Sequence, residues 1–534
     1  MAKVGGLALP KVSRRQGNLL ENLMVVSFAV LATVGIFRHE IWRDEAQAWL
    51  LARDSASMLD LFRNSRYEGH PLLWHYCLYG LSRLTHSVRA MQGLNLLIVI
   101  ASSLLLVKRS PFALPQRGLL VFGYFFIYEY TLLSRSYGMG VFLVFLFCTL
   151  YCRRQPGYWG LTAVLILLAN TSIFGLLLSF SLAIALFYRL FFLPMRCQLN
   201  GEMKSPLRKD NPQSNWLYYS GALLLGWGFS VCQIARAVFG VPETYEVEPQ
   251  VASSWIENTN KLFQITLKSY LPMPNFRFHF WNGHLLEDLS LLPGPGPVFL
   301  CLSGVLSLLV LLLAIALLRK TPVFLMVYGF GMLSMGGLFV LVYRGSARHY
   351  GHLFVLLLAC LWLSRGWLAH DLTGDVHKGK RQVYDRLFTG VLCLQVFSGV
   401  YAYTADIRLP FSTSYAAAAQ IERARLDDRP LIGINQRPVS SLSAYLNRPI
   451  YYPEAERFGS FWEISYPEVV EQAEIVRSLE TFAAQYPAFV AILTQPLDES
   501  KMSSDLIVRD LEDIRPGIVE TESFSLYAIE RRRE

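Results

Sequence analysis

Charge is scarce in this chain. Only 17% of its 534 residues are charged, whereas a soluble protein carries about a quarter; 53% are hydrophobic. That shortfall excludes a disordered, collagen-like or coiled-coil chain and argues against an ordinary soluble enzyme. Cysteine is thinly used: there are eight, none after Cys393, and no CxxC pair has metal-binding spacing. A thiolate zinc site is thereby disfavoured, and a folded C-terminal region has to cohere without disulfides. No small-residue cleavage site follows the first apolar run, so that run reads as an uncleaved anchor. No internal repeat of the kind that marks many transporters is visible.

What is present is a succession of long apolar runs, such as 299–318, of the ~20-residue length that crosses a bilayer as a helix. Reading those runs against turn and charge signals predicts eleven spans, at about 19–37, 88–107, 117–131, 136–152, 158–170, 173–193, 217–236, 297–318, 322–343, 350–368 and 387–404. Lys3, Lys11, Arg14 and Arg15 precede the first span and place the N-terminus in the cytoplasm. Bases then recur on the same side, at Lys108 and Arg109, Arg153 and Arg154, Arg319 and Lys320, and Lys378 to Arg386. The short outside connections hold only Arg135, Arg344 and Arg348. The positive-inside rule thus orients a plasma (inner) membrane protein, with two long loops (38–87 and 237–296) and the tail beyond 404 outside.

Net charge is +9, but it divides unevenly. From Ala405 onward 21 acids face 14 bases, a net of −7, which leaves +16 in the membrane part. The basic balance is therefore a topology signal and carries no implication of nucleic acid. Two domains are expected: a membrane domain over 1–404 and a small extracytoplasmic α/β domain over 405–534. In the latter, 430–434, 489–494 and 524–529 read as strands and 439–446 as a helix.

The first outside loop holds the densest chemistry. In the stretch from His39 to Asp54, Trp42, Ala46, Trp49 and Leu50 share one helical face, which predicts an amphipathic helix lying in the membrane interface. Asp44 and Glu45 open that helix, where the macrodipole favours carboxylates. A charge pair on a solvated helix start is the plainer alternative. Glu68, Gly69, His70 and Pro71 then lead into the apolar, aromatic run Leu72 to Tyr76, a second interfacial helix with its start exposed. In the second outside loop, the aromatic-rich segment Ser269 to His284 reads as a belt anchor or as a loop that closes over a lipid-linked substrate. Asn170, Thr171 and Ser172 fit a glycosylation acceptor formally, but in a tight turn at the membrane.

The order of these segments resembles the GT-C superfamily of membrane glycosyltransferases, in particular the branch of protein O-mannosyltransferases and aminoarabinose transferases. The matching residues are Asp44 and Glu45 after the first span, His70 and Pro71, Arg89 at the second span, Ser134 to Gly138, and Arg348, His349 and Tyr350 opening the tenth. The likeness runs over about 19–370; Gly138 departs from the aromatic or apolar residue common there, and the tail matches no subfamily.

The resemblance implies a GT-C-like fold and an inverting transfer of a sugar from a polyprenyl-phosphate donor to a glycan, lipid-linked or protein acceptor. It assigns the base to Asp44, with Glu45 supporting it or orienting the acceptor. Adjacent residues on one helix point about 100° apart, which suits poorly the opposed carboxylates of a retaining enzyme. Arg135, Arg344 and Arg348 break the positive-inside bias at outside helix ends and are candidates for the donor phosphate, although interfacial arginines also snorkel to headgroups. His70, Glu68, Tyr137, His349 and Tyr350 are candidate substrate contacts. No Asp and His set of metal-ligand spacing stands out, and a divalent metal is left open. A glycan polymerase or ligase and a lipid or sugar flippase are the rival functions, and nothing in the sequence gives the oligomeric state.

Overall fold

The structure is a computed structural model and describes residues 13–192, 215–239, 255–287, 297–370, 378–463, 470–511, 514 and 516–532. Every expected span but the third falls on a continuous helix among the described residues. Seven helices are long and apolar enough to cross a bilayer: Arg14–Arg38, Arg89–Arg109, Ile173–Phe191, Val298–Leu318, Pro322–Leu341, Ala347–Leu368 and Gln382–Arg408. Ser136–Tyr151 and Tyr158–Ala169 are shorter apolar helices, and Trp216–Phe239 occupies the seventh expected position. The chain is a multi-pass helical membrane protein. Its helix starts carry local signals: Ser13 and Gln16 form a capping box, Ser172 accepts the Gly175 amide at 3.0 Å, and Pro322 occupies the first turn of its helix.

One expected span needs correction. The third span is not one helix: Leu114–Val121 ends in a turn, and a π-helical segment, Phe125–Glu129, follows. The Tyr130 amide reaches back five residues to the Phe125 carbonyl at 2.8 Å, the i→i+5 bond of a π-turn. Gly351 of the helix Ala347–His370 makes this possible, because a Cβ there would overlap both Phe125 and Tyr130. The long loop over 237–296 contains, ahead of its aromatic-rich segment, the amphipathic helix Trp255–Tyr270, which packs against Pro297–Leu318 and Ala347–His370.

The tail forms a six-stranded mixed sheet ordered β3-β2-β1-β4-β6-β5, where β1 is Leu431–Gly433, β2 Ile450–Tyr452, β3 Arg457–Gly459, β4 Ala488–Leu493, β5 Leu506–Asp510 and β6 Ser525–Arg531. β1 runs parallel to β2 and β4; the other pairs are antiparallel. Alternation along the strands divides the core in two. Leu431, Val490, Ile492 and Leu526 pack with the helices Ser414–Arg423 and Gln436–Leu446, while Ile432, Phe489, Ala491 and Ile529 pack with Gln472–Gln485. The last membrane helix runs to Arg408, a few residues beyond the expected boundary.

This tail covers the first outside loop. The helix Gln436–Leu446 lies on the helix Arg43–Asp54, whose other side meets Leu73–Ser82. As a result every residue from Glu45 to Arg53 is buried, and the helix does not present a polar face to the interface as its amphipathic pattern predicts.

Candidate active site

The helix Arg43–Asp54 begins where Trp42 is extended, and the Glu45 carboxylate turns back to accept the Trp42 amide at 3.4 Å. One of the unpaired first-turn amides, that of Arg43, donates to Glu522 of the tail at 2.8 Å. Burial pushes the Glu522 carboxyl up to about 7.

Its two opening acids part company at once. The Glu45 side chain is 0% exposed and the Asp44 side chain 19%. Glu45 accepts the Ser134 amide at 2.5 Å and faces His39 Nε2 at 3.1 Å. On its other nitrogen, Nδ1, His39 meets both Asp406 carboxylate oxygens at 3.0 Å. With a carboxylate on each ring nitrogen the imidazole is held as an imidazolium. Burial opposes that charge, but Asp406 and Glu45 outweigh it and raise His39 to about 10. The cluster ties the first span, the Asp44 helix and the last span together.

Asp44 instead faces guanidiniums. Its Oδ2 lies 3.0 Å from Nη2 of Arg348, and Nη1 of Arg135 donates to the Asp44 backbone carbonyl. Both arginines are buried, 7% and 8% exposed. Burial alone would raise the Asp44 carboxyl, yet Arg348, Arg135 and Arg43 hold it below the usual carboxylate range. It is therefore ionised at neutral pH. The Arg348 guanidinium carbon sits 4.9 Å from the Trp42 ring and 5.2 Å from the Trp281 ring, cation–π contacts that confine it between two indoles. Trp281 comes from the second outside loop, where Asn282 accepts the Ala347 amide at 3.1 Å and so caps the Arg348 helix. Arg348 Nε is buried without a hydrogen-bond partner among the described residues.

A chain of rings lies beside this pair. The Ser346 amide donates to His349 Nδ1 at 2.9 Å, which makes that nitrogen an acceptor and leaves the proton on Nε2. Nε2 faces Tyr137 Oη at 2.8 Å, and Tyr137 Oη faces His70 Nε2 at 3.4 Å. Followed through, the tyrosine proton points to His70 Nε2 and the His70 proton sits on Nδ1, a buried atom with no partner among the described residues. Burial, then the charge of Arg135, lowers His70 to about 3, so it is neutral. Glu68 lies 3.8 Å from His75 Nε2, and burial raises its carboxyl despite Arg135.

Thus Asp44, Arg135, Arg348, His349, Tyr137, His70 and Glu68 come together. Arg344 and Tyr350 do not join them: Arg344 is exposed, and the Tyr350 hydroxyl donates to the Arg344 carbonyl at 2.6 Å while its ring packs on Phe339. The exposed Arg89 also lies apart. Sequence reasoning missed Trp42 and Trp281 as the walls of Arg348, and missed His39, Asp406 and Glu522. It also passed over Glu129, an acid inside an apolar run whose Oε1 accepts from Tyr124 at 2.7 Å and Trp281 at 3.2 Å. An ionisable group at membrane depth is itself a signal. Among the described residues no group of three or more His, Cys, Asp and Glu is placed to hold a metal ion.

No protein-family model matches the chain, and no curated protein matches it. Among solved structures, ArnT from Cupriavidus metallidurans bound to undecaprenyl phosphate aligns over 95% of this chain and 97% of its own at 12% identity, with a TM-score of 0.45. The apo form of the same protein aligns over 97% and 98%, again at 12% identity and 0.45. The arabinofuranosyltransferase AftD from Mycobacteria aligns over 98% of this chain and 40% of its own, at 12% identity and 0.38.

Proposed function

We propose that the chain is an inverting glycosyltransferase that moves one sugar from a polyprenyl-phosphate donor to an acceptor on the extracytoplasmic face of the membrane. One observation carries this reading: Asp44, partly accessible, with its carboxylate paired to buried Arg348 and its backbone carbonyl bound by buried Arg135, both at the ends of apolar helices. The acceptor O–H or N–H gives its proton to Asp44 as its heteroatom attacks the anomeric carbon. The bond from that carbon to the phosphate oxygen breaks on the opposite face. Arg348 and Arg135 neutralise the departing lipid phosphate; guanidinium is suited to this because it stays charged and can bind two phosphate oxygens.

The pairing of Asp44 with Arg348 fits such a cycle. A donor phosphate competes with Asp44 for the guanidinium, and in taking Arg348 it leaves the carboxylate free to accept a proton. Neutral His70, whose Nδ1–H is unclaimed, is a donor for a sugar hydroxyl or a phosphate oxygen. Glu45 serves by positioning: locked to His39 and Ser134, it fixes the helix that carries Asp44. The membrane domain to about residue 404 does the chemistry, and the tail closes the first outside loop over it. The test is mass spectrometry of surface glycans and lipids from a deletion strain. Loss of a single sugar substituent supports the reading, and an unchanged glycan and lipid profile overturns it.

A further inference from the structure

A polar cleft of about 500 Å³ borders the His39 cluster at Asp406, and its walls include Arg38, Glu40, Asp406, Arg408 and Arg423. The three arginines come from three elements, as the last residues of Arg14–Arg38, Lys378–Arg408 and Ser414–Arg423. Each suits its own helix end, where the dipole favours a cation. The dipoles do not account for three exposed guanidiniums gathered on one cleft, where like charges repel. None of the three side chains has an ion-pair or hydrogen-bond partner among the described residues. Asp406 cannot neutralise them, because both of its oxygens are engaged by His39. Glu40 lies on the same wall with its Oε2 buried and unpartnered among the described residues. Among the described residues the cleft therefore offers an excess of cation with one carboxylate beside it, the complement of a headgroup that pairs a phosphate with a hydrogen-bond donor.

Its position selects a lipid. Arg38 and Arg408 end bilayer-length helices; Val34 and Phe37 are exposed in the turn before Arg38, and Phe397 and Val400 about two to three turns before Arg408, apolar surface along which acyl chains can lie. We propose that this cleft holds the phosphate headgroup of a bilayer lipid, the three guanidiniums taking the phosphate oxygens and Glu40 taking an ammonium or hydroxyl donor of the same headgroup. The cleft lining includes none of the residues gathered around Asp44, and the proposal does not depend on the transfer reaction.

Native mass spectrometry of the full chain in detergent tests it, with dioleoyl phosphatidylethanolamine, phosphatidylglycerol or phosphatidylcholine added, and inorganic phosphate as competitor. The wild type is expected to retain phosphatidylethanolamine and phosphatidylglycerol about tenfold better than phosphatidylcholine, whose quaternary ammonium donates no hydrogen bond. Arg38→Gln/Arg408→Gln/Arg423→Gln is expected to lower retention of all three, and Glu40→Gln to remove the preference over phosphatidylcholine. Should the triple variant fail to fold, Arg423→Gln in the tail alone carries the same expectation at smaller size. Equal retention by wild type and arginine variants overturns the proposal. So does displacement of the lipid by millimolar inorganic phosphate, which would make this a free-phosphate site.

Discussion

Asp44 and Glu45 open one helix, yet one keeps a window to solvent and the other has none. A proton acceptor has to reach its substrate, so on the proposed reading the accessible residue takes the proton and the sealed one positions the helix. Arg348 is confined by Asp44 and two indoles. Arg348→Ala is expected to weaken binding of the lipid-phosphate donor at least tenfold and acceptor binding far less, as titrations of the two substrates would show; equal losses would remove the phosphate role. His39 permits a pH experiment. With its folded value raised to about 10 from an ordinary 6.5, its contribution to stability is fully present below pH 6.5 and is lost as the pH rises through about 10. Thermal unfolding of the solubilised protein is expected to decline over that alkaline window, and His39→Gln to flatten that part of the decline. Removing the cation leaves Asp406 and Glu45 buried without it, at a cost of about 3–5 kcal/mol.

At the scale of elements, the juxtaposition of Asp44 and Arg348 depends on close helix contacts as well as on charge. Gly138, the departure from the resembled pattern, has a steric reason: a Cβ there would stand 2.9 Å from Asn95 Oδ1 and 3.0 Å from the Tyr130 carbonyl. Asn95 in turn donates to the Thr131 carbonyl at 2.8 Å, which fixes the turn that leads to Ser134 and Arg135. Gly138→Ala is expected to destabilise by about 1–3 kcal/mol through overpacking, read as a lowered unfolding temperature with a matching loss of activity. The apolar runs made the spans legible, because a bilayer demands length and hydrophobicity from each segment alone. The stretch 117–131 misread as one span because composition does not report a π-turn. The short strands β2, β3 and β5 were missed for a related reason: three to five residues carry too little alternation to be distinctive.

Over the whole molecule, the site is assembled from the first outside loop, the third connection, the second outside loop and the start of a late membrane helix, and the tail closes over the first of these. The order of Asp44, His70, Tyr137 and Arg348 along the chain hinted at their convergence. Nothing in the sequence showed that Trp281 would stand against Trp42 at 4.9 Å, or that Glu522 and Tyr445 of the tail would hold the Asp44 segment by hydrogen bonds of 2.8 Å, because these contacts arise only from packing between remote segments. The orientation expected from the distribution of Lys and Arg puts the tail outside the cell. A cysteine at position 530 in an otherwise unchanged chain is expected to react with an impermeant maleimide in intact cells; protection there, with labelling only after lysis, would reverse the orientation.

The central claim is that Asp44 takes the acceptor proton. Its most direct test is complementation of the deletion strain, with the lost sugar substituent followed by mass spectrometry. Asp44→Asn, made at the wild-type level, is expected to lower transfer by about 10²–10⁴-fold, the usual weight of a general base, while Arg344→Gln restores it fully. Restoration of the substituent by Asp44→Asn would contradict the account.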